Sequence, residues 1–215
     1  MADAAPAPAE PRPAASVIIV RDAPPGAPEP IEVYMVRRQR SMKFLGGFYA
    51  FPGGKVDPGD AASTLLAGCL GLDAARAAQC FPAHGALLAE AGWRCDLRPL
   101  RYLSHFVTPK TSPIRFTARF LLCRLPPGQA PRLYTEETSE GFWIHPGDGY
   151  RRFLAHEMAM AEPAEYGLAY IAQFRSVSEL WAACDDNREK FTGVVDRIEF
   201  QFWKDFDWKA ERWNR

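Results

Sequence analysis

The stretch AFPGGKVDPGD, residues 50–60, decides how the rest of the chain is interpreted. Gly53 and Gly54 come directly after a short apolar run, and two acids, Asp57 and Asp60, flank a second Pro-Gly pair. Glycine allows a positive φ and lets the backbone approach another group closely. The pattern therefore predicts an acid-bearing loop that follows a strand and contacts a ligand, and a plain β-turn loop is the alternative reading.

Segments typical of strands lie on both sides of this loop. SVIIVRD (16–22) and IEVYMVRR (31–38) are rich in β-branched residues and predict a hairpin. Further strands are predicted at 48–51, 100–109, 114–125, 141–146 and 194–202. Helices are predicted at 60–80, 83–91 and within 147–186. Strands and helices do not alternate regularly, so we predict an α/β fold with a mixed sheet and helices on its faces.

The overall composition excludes some classes of function. Lys+Arg and Asp+Glu both number 26, so the net charge is zero and no overall field favours nucleic acid or an anionic membrane. No apolar run reaches about 18 residues, so no membrane-spanning helix is expected. Residues 1–15 are rich in Pro and Ala, predict a disordered tail and lack the pattern of a signal peptide, which favours a cytoplasmic location. The five cysteines form no CxxC pair, so buried free thiols are expected.

The loop at 50–60 resembles the opening of the Nudix box, G-x5-E-x7-R-E-U-x-E-E-x-G-U, in which U is a bulky aliphatic residue. Gly54 takes the place of the first glycine, and Asp60 stands where the pattern has Glu. The second half of the box is similar to AHGALLAEAGW (83–93). The 24 residues from 61 to 84 stand in place of seven, an insertion of 17.

An insertion at this place resembles the branch of the superfamily that contains the peroxisomal coenzyme A diphosphatases and their bacterial relatives. Segments 36–60, 102–129 and 137–153 are similar to successive blocks of that branch and occur in the same order. The resemblance covers residues 16–185. It implies a Nudix-type α/β/α sandwich with a mixed sheet. The implied parts are a Nudix-like domain at 16–186, a helical insertion at 61–82, a helical C-terminal addition, and a final strand with a Trp-rich tail at 187–215.

The box helix of the family carries glutamates at i, i+3 and i+4, which share one helix face and hold Mg²⁺ or Mn²⁺. The metal neutralises the diphosphate and activates water. In this chain Gly85 stands at the arginine position, Ala86 and Ala89 stand at two glutamate positions, and only Glu90 is kept. The resemblance therefore implies a degenerate box and a candidate pseudoenzyme. An unrelated Ala/Leu core helix is the alternative for this segment.

The resemblance also implies a set of site residues. Catalysis, if retained, would use Glu90, Asp60 and Glu140. A Mg²⁺ or Mn²⁺ ion would be held by Glu90, Asp57 and Glu137, and an inactive protein would need no cofactor.

Contacts to substrate are expected from the glycines of the loop and from the basic residues before it. Gly53, Gly54, Arg37 and Arg38 form this set, because arginine pairs well with phosphate oxygens. A solvated strand edge is the alternative for the arginines.

Two functions stay open at this point. One is a metal-dependent hydrolase of a nucleoside-diphosphate-linked, coenzyme A-like compound. The other is a catalytically silent Nudix-fold protein that binds a nucleotide-like ligand, a protein partner or a second copy of itself. Neither nucleic acid nor a membrane is an expected partner.

Overall fold

The computed structural model describes residues 8–55, 100–133, 136–185, 206–207 and 212–213 of the 215-residue chain. Its strands are β1 (Arg12–Asp22), β2 (Ile31–Arg38), β3 (Tyr49–Ala50), β4 (Gly53–Lys55), β5 (Leu100–Val107), β6 (Phe116–Arg124), β7 (Thr138–Ile144), β8 (Phe206–Asp207) and β9 (Arg212–Trp213). Its helices are α1 (Pro146–Leu154), α2 (Glu162–Ile171) and α3 (Val177–Asp185). The helices predicted at 60–80 and 83–91 and the strand predicted at 194–202 lie outside the described residues.

The predicted hairpin is confirmed. β1 and β2 run antiparallel, and Val20 faces Val33 across the pair. Ile18 and Val20 are fully buried, while the residues between and beside them in β1 are partly exposed. This alternation is what a strand produces when one face packs on the core, because successive side chains point to opposite faces.

β1 begins four residues earlier than the sequence predicts. Residues 12–15, expected to belong to a disordered tail, pair with β4 and β6 instead. The backbone N–H of Arg12 donates to the carbonyl of Arg115 at 2.9 Å, and the Arg115 guanidinium donates to the carbonyl of Ala9 at 2.8 Å. These contacts come from a segment about 100 residues away, so local composition does not reveal them.

The main sheet is mixed, which confirms the predicted class. Its central path runs β3-β2-β1-β6-β5, with β7 paired to β2 and β4 paired to β1. β1 and β6 are parallel over nine residue pairs, from Arg12 opposite Phe116 to Val20 opposite Arg124. The other pairs of this sheet are antiparallel. β8 and β9 form a separate antiparallel pair.

The segment that holds β3 and β4 lies between two strands that diverge. β1 and β2 pair only near the hairpin end, from Val20 to Asp22 on β1. Farther along, β3 pairs with β2 and β4 pairs with β1. The loop that opens the box motif is thereby joined to the central strand, with Gly53 opposite Ser16.

The helices pack on the sheet through a single apolar cluster that includes Ile18, Val33, Leu168 and Leu180, all fully buried. Burial of each such side chain contributes about 1.5–3 kcal/mol. α1 and α2 each begin with a proline in the first turn, where the missing N–H is not needed. α3 is fixed at its start by Asp22, whose carboxylate accepts the Val177 N–H at 2.9 Å.

Two further expectations concern thiols and membranes. Cys123 and Cys184 lie in the described part; both are free, and Cys184 is buried. Within the same part of the chain, no helix has the length and apolar character needed to cross a membrane. The cellular compartment stays a prediction.

Candidate ligand-binding cavity

A cavity of about 530 Å³ lies between the sheet and the first turn of α2. Residues of β1, of the β3–β4 segment, of the loop after β2, and of β5 and β6 form its walls. This volume falls in the range of roughly 300–1,000 Å³ that is typical of small-molecule sites. The box loop contributes Gly53 and Gly54 to the wall, so the cavity lies beside the motif that the sequence singled out.

Charged residues of both signs line this cavity, with the basic ones in excess. The basic residues are Arg12, Arg38, Lys43 and Lys55, and the acidic ones are Glu137 and Glu162. Lys55 lies opposite Ala14 on β1, and Arg12 lies two residues earlier on the same strand. These two cations therefore come from the outer end of the β1–β4 pair. Such cations form strong charge-assisted hydrogen bonds with phosphate oxygens.

Arg38 ends β2 and is held by the loop that follows it. Its guanidinium donates to the carbonyl of Phe44 at 3.1 Å, and its backbone N–H donates to the carbonyl of Phe48 at 2.9 Å. Burial lowers the pKa of this guanidinium from its ordinary value, and the nearby Glu137 carboxylate offsets part of that change. Arginine stays charged in proteins. Arg38 is therefore a positioned, partly desolvated cation at the cavity wall.

An aromatic series forms the apolar side of the cavity and continues onto α2. The rings of Phe51 and Phe120 meet edge to face at 6.4 Å, and those of Phe106 and Phe120 do so at 5.5 Å. Phe106 in turn stacks on Tyr166 of α2, with centroids 6.2 Å apart and planes at 22°. Such contacts fix ring orientation as well as burying area. Phe51, Phe106 and Phe120 thus give the cavity an aromatic wall.

Glu162 is the acid that the sequence did not reveal. It is the first residue of α2, is only 3% exposed and lines the cavity. Its Oε2 atom has no hydrogen-bond partner in the described part of the structure. Burial raises the pKa of this carboxyl to about 7, with a further contribution from Glu165, and burial raises the pKa of Glu165 to about 7 as well.

In the sequence, AEPAEYG (161–167) reads as an ordinary helix start, because acids are favourable in the first turn. Glu165, the second acid of that turn, does not make the segment look different from an ordinary helix start. The burial of Glu162 depends on how α2 packs over the sheet, and no local pattern signals it.

The structure brings four of the predicted site residues to the cavity: Gly53, Gly54, Arg38 and Glu137. At Gly53 a side chain is excluded by β1 itself, because an added Cβ would lie 2.5 Å from the Ser16 Oγ. The close approach that glycine permits here is therefore to the neighbouring strand. An added Cβ at Gly54 would meet nothing within 4 Å.

Arg37 and Glu140 do not belong to the residues that line the cavity. They face each other across the β2–β7 pair, and the guanidinium of Arg37 is 3.1 Å from the Glu140 carboxylate. The same guanidinium lies 5.3 Å from the centre of the Tyr49 ring. Both side chains thus have structural contacts at a sheet edge, and their predicted roles in substrate binding and catalysis stay predictions.

Of the expected metal ligands, Glu137 belongs to the described residues. Asp57, Asp60 and Glu90 lie outside the described residues, as do Gly85, Ala86 and Ala89. Glu137 lies on the cavity wall. Among residues 8–55, 100–133 and 136–185, no three His, Cys, Asp or Glu side chains are grouped so as to hold a metal ion. The described residues alone do not fit a Mg²⁺ or Mn²⁺ centre.

The mixed sheet, the helices that follow it and the cavity beside the Gly-Gly loop define a Nudix-type fold. A crystal structure of a Nudix hydrolase from Alicyclobacillus acidocaldarius is 28% identical, with a TM-score of 0.63 over 79% of this chain and 94% of that one. A Caenorhabditis elegans protein named "Putative nudix hydrolase 7" is 27% identical over 181 residues. That alignment covers 71% of this chain but only 58% of the nematode protein. No family model matches the chain. The chain thus has the fold of the Nudix hydrolases and is similar in sequence to proteins named as Nudix hydrolases.

Proposed function

We propose that the chain binds a nucleoside-diphosphate-linked, coenzyme A-like compound in this cavity and hydrolyses its diphosphate. The observation that carries the proposal is the position of the cavity, which has the glycines of the box loop in its wall and four basic residues around it. The names of the two similar proteins support hydrolysis as the activity of the family. The coenzyme A-like character rests on the resemblance of the insertion and of the blocks that flank it.

The residues of this chain would bind and orient such a ligand. Arg12 and Lys55 would contact the phosphates at the outer end of the cavity, and Arg38 would supply a partly buried guanidinium. Guanidinium groups bind phosphate through paired N–H donors, which fixes orientation as well as charge. A bound Mg²⁺ or Mn²⁺ ion would supply charge neutralisation and an activated water. Glu90, Asp57 and Glu137 would hold such an ion.

A second candidate function is binding without hydrolysis. Gly85, Ala86 and Ala89 stand where the family has an arginine and two glutamates. Small apolar side chains cannot coordinate a hard divalent cation, which needs oxygen ligands. A chain that lost these ligands would keep the cavity and act as a sensor of a nucleotide-like ligand or as part of a protein assembly.

A product assay separates the two candidates. Concentrated protein is incubated with coenzyme A, NADH and ADP-ribose in the presence of Mg²⁺ or Mn²⁺, and the products are resolved by chromatography. Glu90→Gln tests the retained box acid. Glu157→Gln is a matched control, because Glu157 forms an exposed ion pair with Arg152 and is not part of the cavity.

The hydrolase proposal predicts a cleaved diphosphate with the wild-type protein and with Glu157→Gln, and a strong loss with Glu90→Gln. If no substrate is cleaved, or if Glu90→Gln cleaves as fast as the wild type, the protein does not use the box for hydrolysis. That result would favour the silent, ligand-binding function.

A further inference from the structure

We propose that Glu162 is the group that recognises the ring system of the ligand, and that its carboxyl group hydrogen-bonds an N–H donor on an amino-substituted nucleobase. The inference rests on the proposed function, in which this cavity is the ligand site. It names the part of the ligand that lies beside Glu162. It is independent of whether hydrolysis follows.

The first support is the state of the Glu162 side chain. A buried polar atom without a hydrogen bond costs about 1–3 kcal/mol, and native structures leave few such atoms. The Glu162 Oε2 atom is one of them in the described part of the chain, and the residue lines the cavity. A ligand that brings a donor into the cavity would satisfy this atom.

The second support is the aromatic surface beside the carboxyl group. Glu162 and Tyr166 are four residues apart on α2 and therefore share a helix face. Tyr166 stacks on Phe106, which meets Phe120 at the cavity wall. Burial raises the pKa of the Tyr166 hydroxyl, and the negative charges of Glu165 and Glu162 raise it further. A flat heteroaromatic ring is the ligand group that such walls hold best.

The third support is the distribution of charge around the cavity. Arg12 of β1 and Lys55 of β4 lie at the outer end of the β1–β4 pair. Glu162 reaches the cavity from a different element, the first turn of α2. The phosphates of a ligand are attracted to the two cations, whereas a phosphate beside an ionised Glu162 would be repelled. The ring is therefore the part of the ligand that is expected to face this carboxyl group.

The test is a binding titration by calorimetry without divalent cation. The probes are ADP and purine riboside 5′-diphosphate, which lacks the exocyclic amine of ADP. Wild-type protein is expected to bind ADP about tenfold more tightly than purine riboside 5′-diphosphate, because one hydrogen bond to a buried carboxyl group contributes about this much to affinity. Glu162→Met should remove this difference. Glu165→Met is the matched control, because Glu165 is on the same helix but is not part of the cavity wall, and it should keep the difference.

Glu162→Gln retains an acceptor and adds donors, so it should keep the preference for ADP to within about threefold. Circular dichroism shows whether Glu162→Met is folded. If it is not, the affinities of the wild type and of Glu162→Gln for the two probes still test the inference. Equal affinity of the wild type for both probes, no binding of ADP, or an equal loss of both probes in Glu162→Met would overturn the inference. Because the titration measures binding alone, cleavage in the product assay would leave the proposed function standing in each of these cases.

Discussion

Replacement of Glu162 by Gln should change how stability depends on pH. The pKa of Glu162 is raised from 4.5 to about 7 by burial, so the folded protein binds a proton more tightly than the unfolded chain does. Between these two values the folded state holds more protons, and the free energy of unfolding therefore falls as pH rises. The stabilising contribution is complete below about pH 4.5 and is lost above about pH 7.

The size of the effect follows from the shift. A displacement of this extent corresponds to on the order of 3 kcal/mol for a fully buried carboxyl group. Glutamine does not titrate, and its neutral amide is close in size to the protonated carboxyl group of Glu162. Wild type and Glu162→Gln should therefore have similar stability at pH 5, and the variant should be more stable at pH 8. Glu165 would keep part of the pH dependence in the single variant, because burial also raises the pKa of its carboxyl.

Urea unfolding at pH 5 and pH 8 measures this difference directly, provided that the m values of the two proteins agree. The double variant Glu162→Gln, Glu165→Gln should show a still smaller pH dependence. An equal difference between wild type and Glu162→Gln at both pH values would show that Glu162 does not titrate as a buried carboxyl group, and the reasoning would be refuted.

Three further changes test the packing. Gly167→Ala places a methyl group 2.8 Å from the Phe51 ring, so over-packing of about 1–3 kcal/mol should outweigh a helix-propensity gain of about 1 kcal/mol and lower the melting temperature. Asp22→Ala removes the acceptor at the start of α3 and should cost about 1 kcal/mol in urea unfolding. A double-mutant cycle with Arg37→Met and Glu140→Gln should give a coupling below about 1 kcal/mol, because Glu140 is half exposed; a larger value would indicate a buried pair.

The hairpin and the mixed sheet were accessible from the sequence because their signals are local. Runs of β-branched residues mark β1 and β2, and Pro-Gly pairs mark the turns. The start of β1 was missed, because the segment from Arg12 to Ala15 has the composition of a tail and becomes a strand only through its pairing with β4 and β6. Pairing between distant segments is a tertiary effect that composition does not carry.

Some residues of the candidate site could be predicted from local sequence, and others depend on tertiary packing. Gly53, Gly54 and Arg38 were found because a motif and its lead-in mark them, and they do line the cavity. The contact between Arg37 and Glu140 depends on the register of β2 against β7, which the sequence leaves open. Glu162 was missed since an acid at a helix start is ordinary, and its significance comes from its burial at the cavity wall, which the packing of α2 on the sheet decides.

The most direct test of the ligand site is a crystal structure of the protein grown with α,β-methylene ADP-ribose, in which the diphosphate cannot be hydrolysed. We expect electron density for the compound in the 530 Å³ cavity, with the diphosphate near Arg12 and Lys55 and the adenine beside Glu162 and Phe106. An ordered ligand bound elsewhere, or an empty cavity at a concentration that saturates the protein in solution, would contradict the assignment of this cavity as the binding site.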